Sequence, residues 1–105
     1  MITHTMIVSF DQPLPDAELD RYLEDIERAT FETGLAQSVV ARRHLAVPGE
    51  EAMATLMATA IVQVTVADID ALAKAFTAPG VHQVIERWQS RYSYKAVWAN
   101  HEPLA

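Results

Sequence analysis

The sequence contains no cysteine and little glycine, and both scarcities narrow what the protein can be. Without cysteine among its 105 residues it has no disulfide framework, no thiolate nucleophile, no iron–sulfur cluster and no cysteine zinc site. The three glycines stand singly at Gly34, Gly49 and Gly80, so neither a GxGxxG nor a GxxxxGK[ST] phosphate loop is present. GxSxG and HExxH are missing as well. We therefore expect no cofactor and no metal.

Basic charge and long apolar runs are also scarce. The formal net charge is −6, and the only adjacent basic residues are Arg42 and Arg43, so nucleic acid is not an expected partner. The longest uncharged stretch, residues 52–67, has 16 residues, short of the roughly 20 apolar residues that a membrane-spanning helix needs. The N-terminus has no signal-peptide pattern. These features predict a cytoplasmic protein with no membrane partner.

Enough apolar residues are present for one folded unit. Half of the residues are hydrophobic and 21% are charged, which is the balance of a globular protein. A chain of this length buries about 65% of its extended surface, enough for one core. We expect a single domain spanning residues 1–105.

Hydrophobic periodicity predicts the first strand and the first helix. Alternation over Ile2–Phe10 places Ile2, His4, Met6, Val8 and Phe10 on one strand face. A helix then starts with Asp16 as its N-cap and ends before Gly34. Its apolar face recurs at helical spacing and comprises Leu19, Tyr22, Leu23, Ile26 and Thr30.

The rest of the chain reads as strand, strand, helix and strand. The second strand is predicted over residues 36–47, with Leu45 and Val47 on its apolar face, and the third near 58–66. Asp68 caps a short helix that Pro79 interrupts, with a second helical piece from Val81. The last strand is predicted over residues 92–100.

The order strand, helix, strand, strand, helix, strand is typical of a fold class. It predicts an α+β, ferredoxin-like split βαβ arrangement with a four-stranded antiparallel sheet. The helices would cover one face of this sheet. Because the other face is also partly apolar, a second copy of the chain is expected to cover it.

Two motifs carry a resemblance to a known family. His4 precedes Phe10 by six residues in the first strand, and the second helix is entered through Ala78-Pro79-Gly80-Val81-His82. With the element order and length, these motifs resemble the dimeric α+β barrel superfamily over nearly the whole chain. The likeness is greatest to the stress-responsive barrel group that includes olivetolic acid cyclase. The resemblance implies a homodimer, with a pocket between each sheet and its own helices.

The same resemblance implies which residues would act. By position, His4 and His82 would be the catalytic acid/base residues of an aldol-type cyclisation. Two departures are visible: a tyrosine of the cyclase corresponds here to Ala75 or Phe76, and one residue is inserted before His82. On a helix, one inserted residue rotates a side chain by about 100°.

Other candidate residues come from their position on predicted faces. Tyr22 faces the sheet from the first helix, so its hydroxyl is either a catalytic donor in the pocket or a core group with a backbone partner. His82 could instead be an exposed residue paired with Glu86. Trp98 is assigned to the dimer seam. The predicted substrate-binding residues are Met6, Val8, Phe10, Ile26, Phe76, Trp88, Tyr92 and Tyr94.

Three further polar residues need partners or exposure. Arg43 interrupts an apolar face and requires a carboxylate, either from an acidic substrate or from the partner chain. His44 lies on an edge strand, where exposure or a dimer contact is expected. His101 is expected beyond the last strand.

These features lead to one main hypothesis and two alternatives. The main hypothesis is a cofactor-independent enzyme, similar to a polyketide cyclase, that performs carbonyl acid/base chemistry on a small apolar aromatic or polyketide substrate. The first alternative is a cofactor-free monooxygenase of the antibiotic-biosynthesis type. The second is a non-enzymatic ligand-binding or stress-responsive barrel protein, which a cavity below roughly 300 Å³ beside His4 would favour.

Overall fold

The computed structural model describes residues 1–53 and 57–105. The elements in chain order are β1 (Ile2–Phe10), α1 (Asp16–Phe31), β2 (Ala36–Arg43), a 3₁₀ turn (Glu50–Ala52), β3 (Ala60–Val66), α2 (Ile69–Phe76), α3 (Pro79–Arg91) and β4 (Tyr94–His101). The strands form one antiparallel sheet in the order β2-β3-β1-β4. This arrangement confirms the predicted ferredoxin-like fold. Within the described ranges, no helix is long and apolar enough to cross a membrane.

The first helix buries the predicted side chains but starts differently. Its buried residues are Leu19, Tyr22, Leu23, Ile26 and Thr30, as the helical spacing predicts. The N-cap is Pro15 rather than Asp16: the Pro15 carbonyl accepts from the backbone N–H groups of Glu18 and Leu19, each at 3.0 Å. Asp16 lies in the first turn, where an acidic side chain interacts favourably with the helix dipole.

The second strand is shorter than predicted. It ends at Arg43, which pairs with Ala60, the first residue of β3. Beyond Arg43, one more backbone hydrogen bond joins the His44 N–H to the Thr59 carbonyl at 2.9 Å, and the strand pairing ends there. Leu45 and Val47 therefore lie outside the sheet and are 77% and 61% exposed.

Pro79 begins a helix rather than interrupting one. Asp68 caps α2 as predicted, accepting from the Ala71 N–H at 2.8 Å. Pro79 occupies the first turn of α3, where proline is tolerated because the first helical N–H groups need no partner within the helix. The last strand is also displaced, from 92–100 to Tyr94–His101, so His101 belongs to β4.

The sheet has one covered and one uncovered face. Its inner face packs on the helices and includes Val8, Val62, Val64 and Val66, each at most 2% exposed. We call the opposite side the open face; it carries the alternate residues, including Thr5, Ile7, Val40, Ile61, Gln63, Val97 and His101. Four of these are apolar and between 41% and 64% exposed.

Candidate functional site

A cavity of about 170 Å³ lies between the inner face of the sheet and the helices. β1, β3 and β4 form its floor, and residues from all three helices form its roof. Among the described residues that line it, none is acidic and only His4 is basic. The lining residues are His4, Met6, Tyr22, Ile26, Thr30, Val62, Val64, Phe76, Val81, Ile85, Gln89, Tyr94, Ala96 and Trp98.

His4 is a buried histidine whose tautomer is set by a neighbour. The alternation of β1 places it on the inner face, where it is 4% exposed. Its Nδ1 lies 2.8 Å from the side-chain oxygen of Asn100, the residue opposite it on β4. An amide oxygen only accepts, so Nδ1 carries the proton and Nε2 has the free lone pair.

The surroundings of His4 favour its neutral form. Burial lowers the pKa of the imidazole; the hydrogen bond to Asn100 raises it in part, and His101 lowers it again. The resulting pKa is below the usual 6.5 of histidine. At neutral pH the side chain is therefore an uncharged base inside the cavity.

Tyr22 supplies a buried hydroxyl without a well-formed hydrogen bond. The residue is completely buried, and its Oη makes no hydrogen bond of normal geometry to a described residue, although the Tyr94 hydroxyl is near enough to interact with it. Its ring packs edge-on against Phe10, Trp88 and Tyr94, with centroids 5.1, 5.5 and 5.7 Å away. Burial first, and Tyr94 next, raise the pKa of the phenol, so the hydroxyl stays protonated. As a protonated phenol it is a hydrogen-bond donor and not a base.

Two aromatic rings enclose His4. Phe76 meets the imidazole edge-on with centroids 4.5 Å apart, and Trp98 lies at 6.2 Å. Trp98 is 61% exposed. Trp98 and Gln89 are the exposed residues of the lining and form its outer wall. Trp98 therefore borders the cavity, and its assignment to a dimer seam stays a prediction.

The structure does not bring His82 to this cavity. His82 is exposed on α3, and the residue before it, Val81, is buried and lines the cavity. Ile85 and Gln89 follow Val81 on the same helix face at four-residue spacing. Neighbouring helix positions point about 100° apart, so the inserted residue turns His82 away. His4 lines the cavity and His82 does not, so the catalytic role that the resemblance implies for His82 has no support from this cavity.

Half of the predicted substrate-binding residues line the cavity, and half lie deeper in the core. Met6, Ile26, Phe76 and Tyr94 are in the lining. The other four are Val8, Phe10, Trp88 and Tyr92, which belong to the core cluster or pack against it. Trp88 donates its Nε1–H to Asp25 at 2.9 Å, and the Tyr92 hydroxyl donates to Glu18 at 3.1 Å. Their polar atoms are thus engaged within the chain.

Several lining residues were missed by sequence reasoning. Val81, Ile85 and Gln89 were detectable from their spacing on one helix face. The others required knowledge of which part of the inner sheet face the helices leave open. They are Thr30, Val62, Val64, Ala96 and Trp98.

Arg43 and His44 find their partners within the chain. The Arg43 guanidinium donates to Asp20 and, at 3.4 Å, to Asp16, both on α1. An acid from a substrate or from another chain is therefore not required, which corrects the prediction. His44 is exposed, and its Nε2 lies 2.8 Å from a Glu50 carboxylate oxygen.

His101 belongs to a separate polar chain on the open face. Its Nδ1 donates to the Glu102 carbonyl at 2.7 Å, so Nε2 accepts from the Thr5 hydroxyl at 2.7 Å. The Thr5 oxygen in turn accepts from Gln63 at 3.2 Å. Across residues 1–53 and 57–105, no group of three or more histidine or acidic side chains is placed to hold a metal ion.

Comparison with known proteins identifies the fold. No protein-family model matches the sequence, and no curated protein is significantly similar to it. Many solved structures overlap with the chain almost completely. A dimeric ferredoxin-like protein of unknown function from Thermobifida fusca has a TM-score of 0.76 at 7% identity, covering 97% of this chain and 90% of that one.

Two similar structures are of named enzymes. The hydroxynitrile lyase of Passiflora edulis has a TM-score of 0.76 at 13% identity, covering 99% of this chain and 94% of the lyase. SnoaB from Streptomyces nogalater, a cofactor-independent oxygenase, has a TM-score of 0.71 at 10% identity, covering 99% and 93%. At these identities the likeness concerns the fold.

Proposed function

Because the chain has the ferredoxin-like fold of the dimeric α+β barrel proteins, we propose that its inner cavity is the active site of a small-molecule enzyme that needs no cofactor. One observation carries the proposal. His4, whose Nε2 has no hydrogen bond to a described residue, and Tyr22, whose hydroxyl has none of normal geometry, both line the same small, uncharged cavity. A base and a donor are the two groups that proton removal beside a carbonyl requires.

The reaction would proceed through an enolate. His4 Nε2 removes a proton from the carbon beside the substrate carbonyl, and the electrons of that C–H bond become the enolate. The Tyr22 hydroxyl donates a hydrogen bond to the carbonyl oxygen as negative charge develops there. The enolate carbon then attacks a second carbonyl of the same molecule, and the His4 imidazolium returns its proton to the new alkoxide. Asn100 keeps Nδ1 protonated throughout, so that Nε2 can act as the base.

This chemistry is that of a polyketide cyclase acting on an apolar aromatic or polyketide substrate. Two structural neighbours, a hydroxynitrile lyase and a cofactor-independent oxygenase, support small-molecule chemistry on this fold. A monooxygenase is the first alternative, and oxygen uptake with an anthrone-like substrate would distinguish it. The reaction of such a monooxygenase would also begin with removal of a substrate proton by a base.

A second alternative rests on the size of the cavity. At about 170 Å³ it is smaller than the roughly 300 Å³ of a usual ligand pocket. A protein that only holds a small ligand, without reaction, fits this volume. It would bind test ketones but would not accelerate proton exchange.

We also propose that the protein acts as a homodimer through the open face. Ile7, Val40, Ile61 and Val97 expose between 41% and 64% of their surface there. Within the described part of the chain, no element covers them. The similar protein from Thermobifida fusca is dimeric, which supports this arrangement.

The proposal is tested by the first chemical step alone, which needs no knowledge of the natural substrate. Exchange of the α-protons of phenylacetone in D₂O is followed by NMR. His4→Gln is expected to reduce the enzyme-dependent rate about 100-fold or more, because general-base catalysis contributes at least that much. His82→Gln is the matched control and should leave the rate unchanged, since His82 is exposed and outside the cavity. Equal rates for the folded His4 variant and the wild type would contradict the proposal.

A further inference from the structure

The dimensions and chemistry of the cavity restrict its ligand further than the proposed reaction does. A buried apolar cavity of about 150 Å³ is large enough to bind benzene. The cavity here measures about 170 Å³. It therefore has room for one six-membered ring with a small substituent within its walls.

The deep walls of the cavity cannot yield easily. Val62, Val64, Tyr22 and Val81 are at most 4% exposed, and they belong to the sheet and to two helices. Packed interiors have few voids, so enlarging this end would require moving core elements apart. The upper limit on ring size is set by these residues.

The cavity also lacks a partner for a charged ligand. Its described lining contains no arginine, lysine, aspartate or glutamate, and the lowered pKa of His4 keeps the imidazole neutral. A carboxylate entering this space would lose its hydration without gaining an ion pair. An uncharged ligand with one hydrogen-bond acceptor matches the free Tyr22 hydroxyl.

The outer wall is the part of the cavity that a substitution can open. Trp98 is 61% exposed, and its ring lies 6.2 Å from that of His4. Removing the indole would open the cavity outward without disturbing the buried walls. Trp98 therefore sets the size limit at the mouth of the cavity.

Resting on the proposed function, we infer that the product of the cyclisation is an uncharged single-ring carbonyl compound, formed from an open-chain substrate with two carbonyls, and that Trp98 excludes fused rings. Atoms of two or three fused rings would overlap the buried walls or displace Trp98. This size class also opposes the tricyclic, anthrone-like substrates of the oxygenase alternative.

The test is a binding series measured by calorimetry on the intact protein. The compounds are acetophenone, benzoate, 2-acetylnaphthalene and anthrone. Acetophenone is expected to bind at least 10-fold more tightly than benzoate and 2-acetylnaphthalene, and anthrone should not bind. Tyr22→Phe should weaken acetophenone several-fold but leave toluene, which lacks an acceptor, unchanged. Affinities within threefold of each other for all four compounds, or no binding by acetophenone, would overturn the inference.

Trp98→Ala tests the size limit at the mouth. It should bring the affinity for 2-acetylnaphthalene to within threefold of that for acetophenone, whereas Val97→Ala, on the open face, should not. Trp98→Phe gives an intermediate ratio and serves if the alanine variant does not fold. An unchanged ratio in a folded Trp98 variant counts against the assignment.

The ligand class and the proposed reaction can each be refuted without the other. A selective series combined with full activity of His4→Gln would reject the proposed reaction and keep the ligand class. Equal affinities for all four compounds, combined with loss of activity in His4→Gln, would reject the ligand class and keep the proposed reaction.

Discussion

The unpartnered hydroxyl of Tyr22 predicts that Tyr22→Phe makes the protein more stable and less active. A buried polar group without a hydrogen bond costs about 1–3 kcal/mol, and removing it restores that amount. The phenylalanine ring occupies the same space between Phe10, Trp88 and Tyr94, so no large hole is created. The loss of one oxygen beside the cavity offsets part of the gain.

The expected net gain is about 1 kcal/mol in the free energy of unfolding. For a domain of this size, such a gain raises the melting temperature by about 4 °C. The assay is urea unfolding followed by tryptophan fluorescence, at one protein concentration because dimerisation would contribute to stability. The activity assay is the proton exchange of phenylacetone, which should fall at least 10-fold.

Tyr92→Phe is the matched control for this prediction. The same hydroxyl is removed, but that of Tyr92 donates to the Glu18 carboxylate at 3.1 Å. Its loss should therefore destabilise the protein by about 1 kcal/mol and leave exchange unchanged. The two identical substitutions should thus have opposite signs.

A destabilised Tyr22→Phe variant would refute the reasoning. That result would mean that the hydroxyl already has a partner in the folded protein, such as an ordered water. The hydroxyl would then not be available as a donor to the substrate.

Two further predictions concern pH and assembly. The pKa of His4 is lowered, and only the neutral imidazole is a base, so the exchange rate should rise with pH through a pKa below 6.5 and then stay constant. In Asn100→Asp the added carboxylate favours the imidazolium, so the inflection of the pH–rate profile should move to higher pH. An unmoved inflection would argue against titration of His4. Ile61→Glu on the open face should convert the dimer to a monomer in light scattering, whereas Ile69→Glu, equally apolar and more exposed but on α2, should not. Dimers of equal strength in both variants would place the interface elsewhere.

The fold could be predicted because it depends on periodic patterns. The bounds of β1 and the buried face of α1 follow from period-two and helical spacing, which are local properties of the chain. The wrong predictions concern the ends of helices and strands, which depend on the neighbouring element and not on local spacing alone. β2 was predicted to reach residue 47 but stops at Arg43, opposite Ala60, where β3 begins.

The candidate site was only partly predictable from the sequence. His4 was named from the family resemblance and Tyr22 from its position on the apolar face of the helix, and both residues line the inner cavity. The sequence could not show that Asn100 lies opposite His4, since that contact joins residues 96 positions apart. Nor could it show that Arg43 meets α1, because this depends on how the helix crosses the sheet.

The sequence by itself determined the element order and the inner faces, because side-chain periodicity is fixed by backbone geometry. The sequence also determined that His82 lies one residue further along the chain than in the family motif that it resembles. Only the tertiary structure decided the consequence, placing Val81 in the cavity and His82 on the surface. It likewise decided that the Tyr22 hydroxyl is left without a partner, since burial and pairing depend on distant elements packing together.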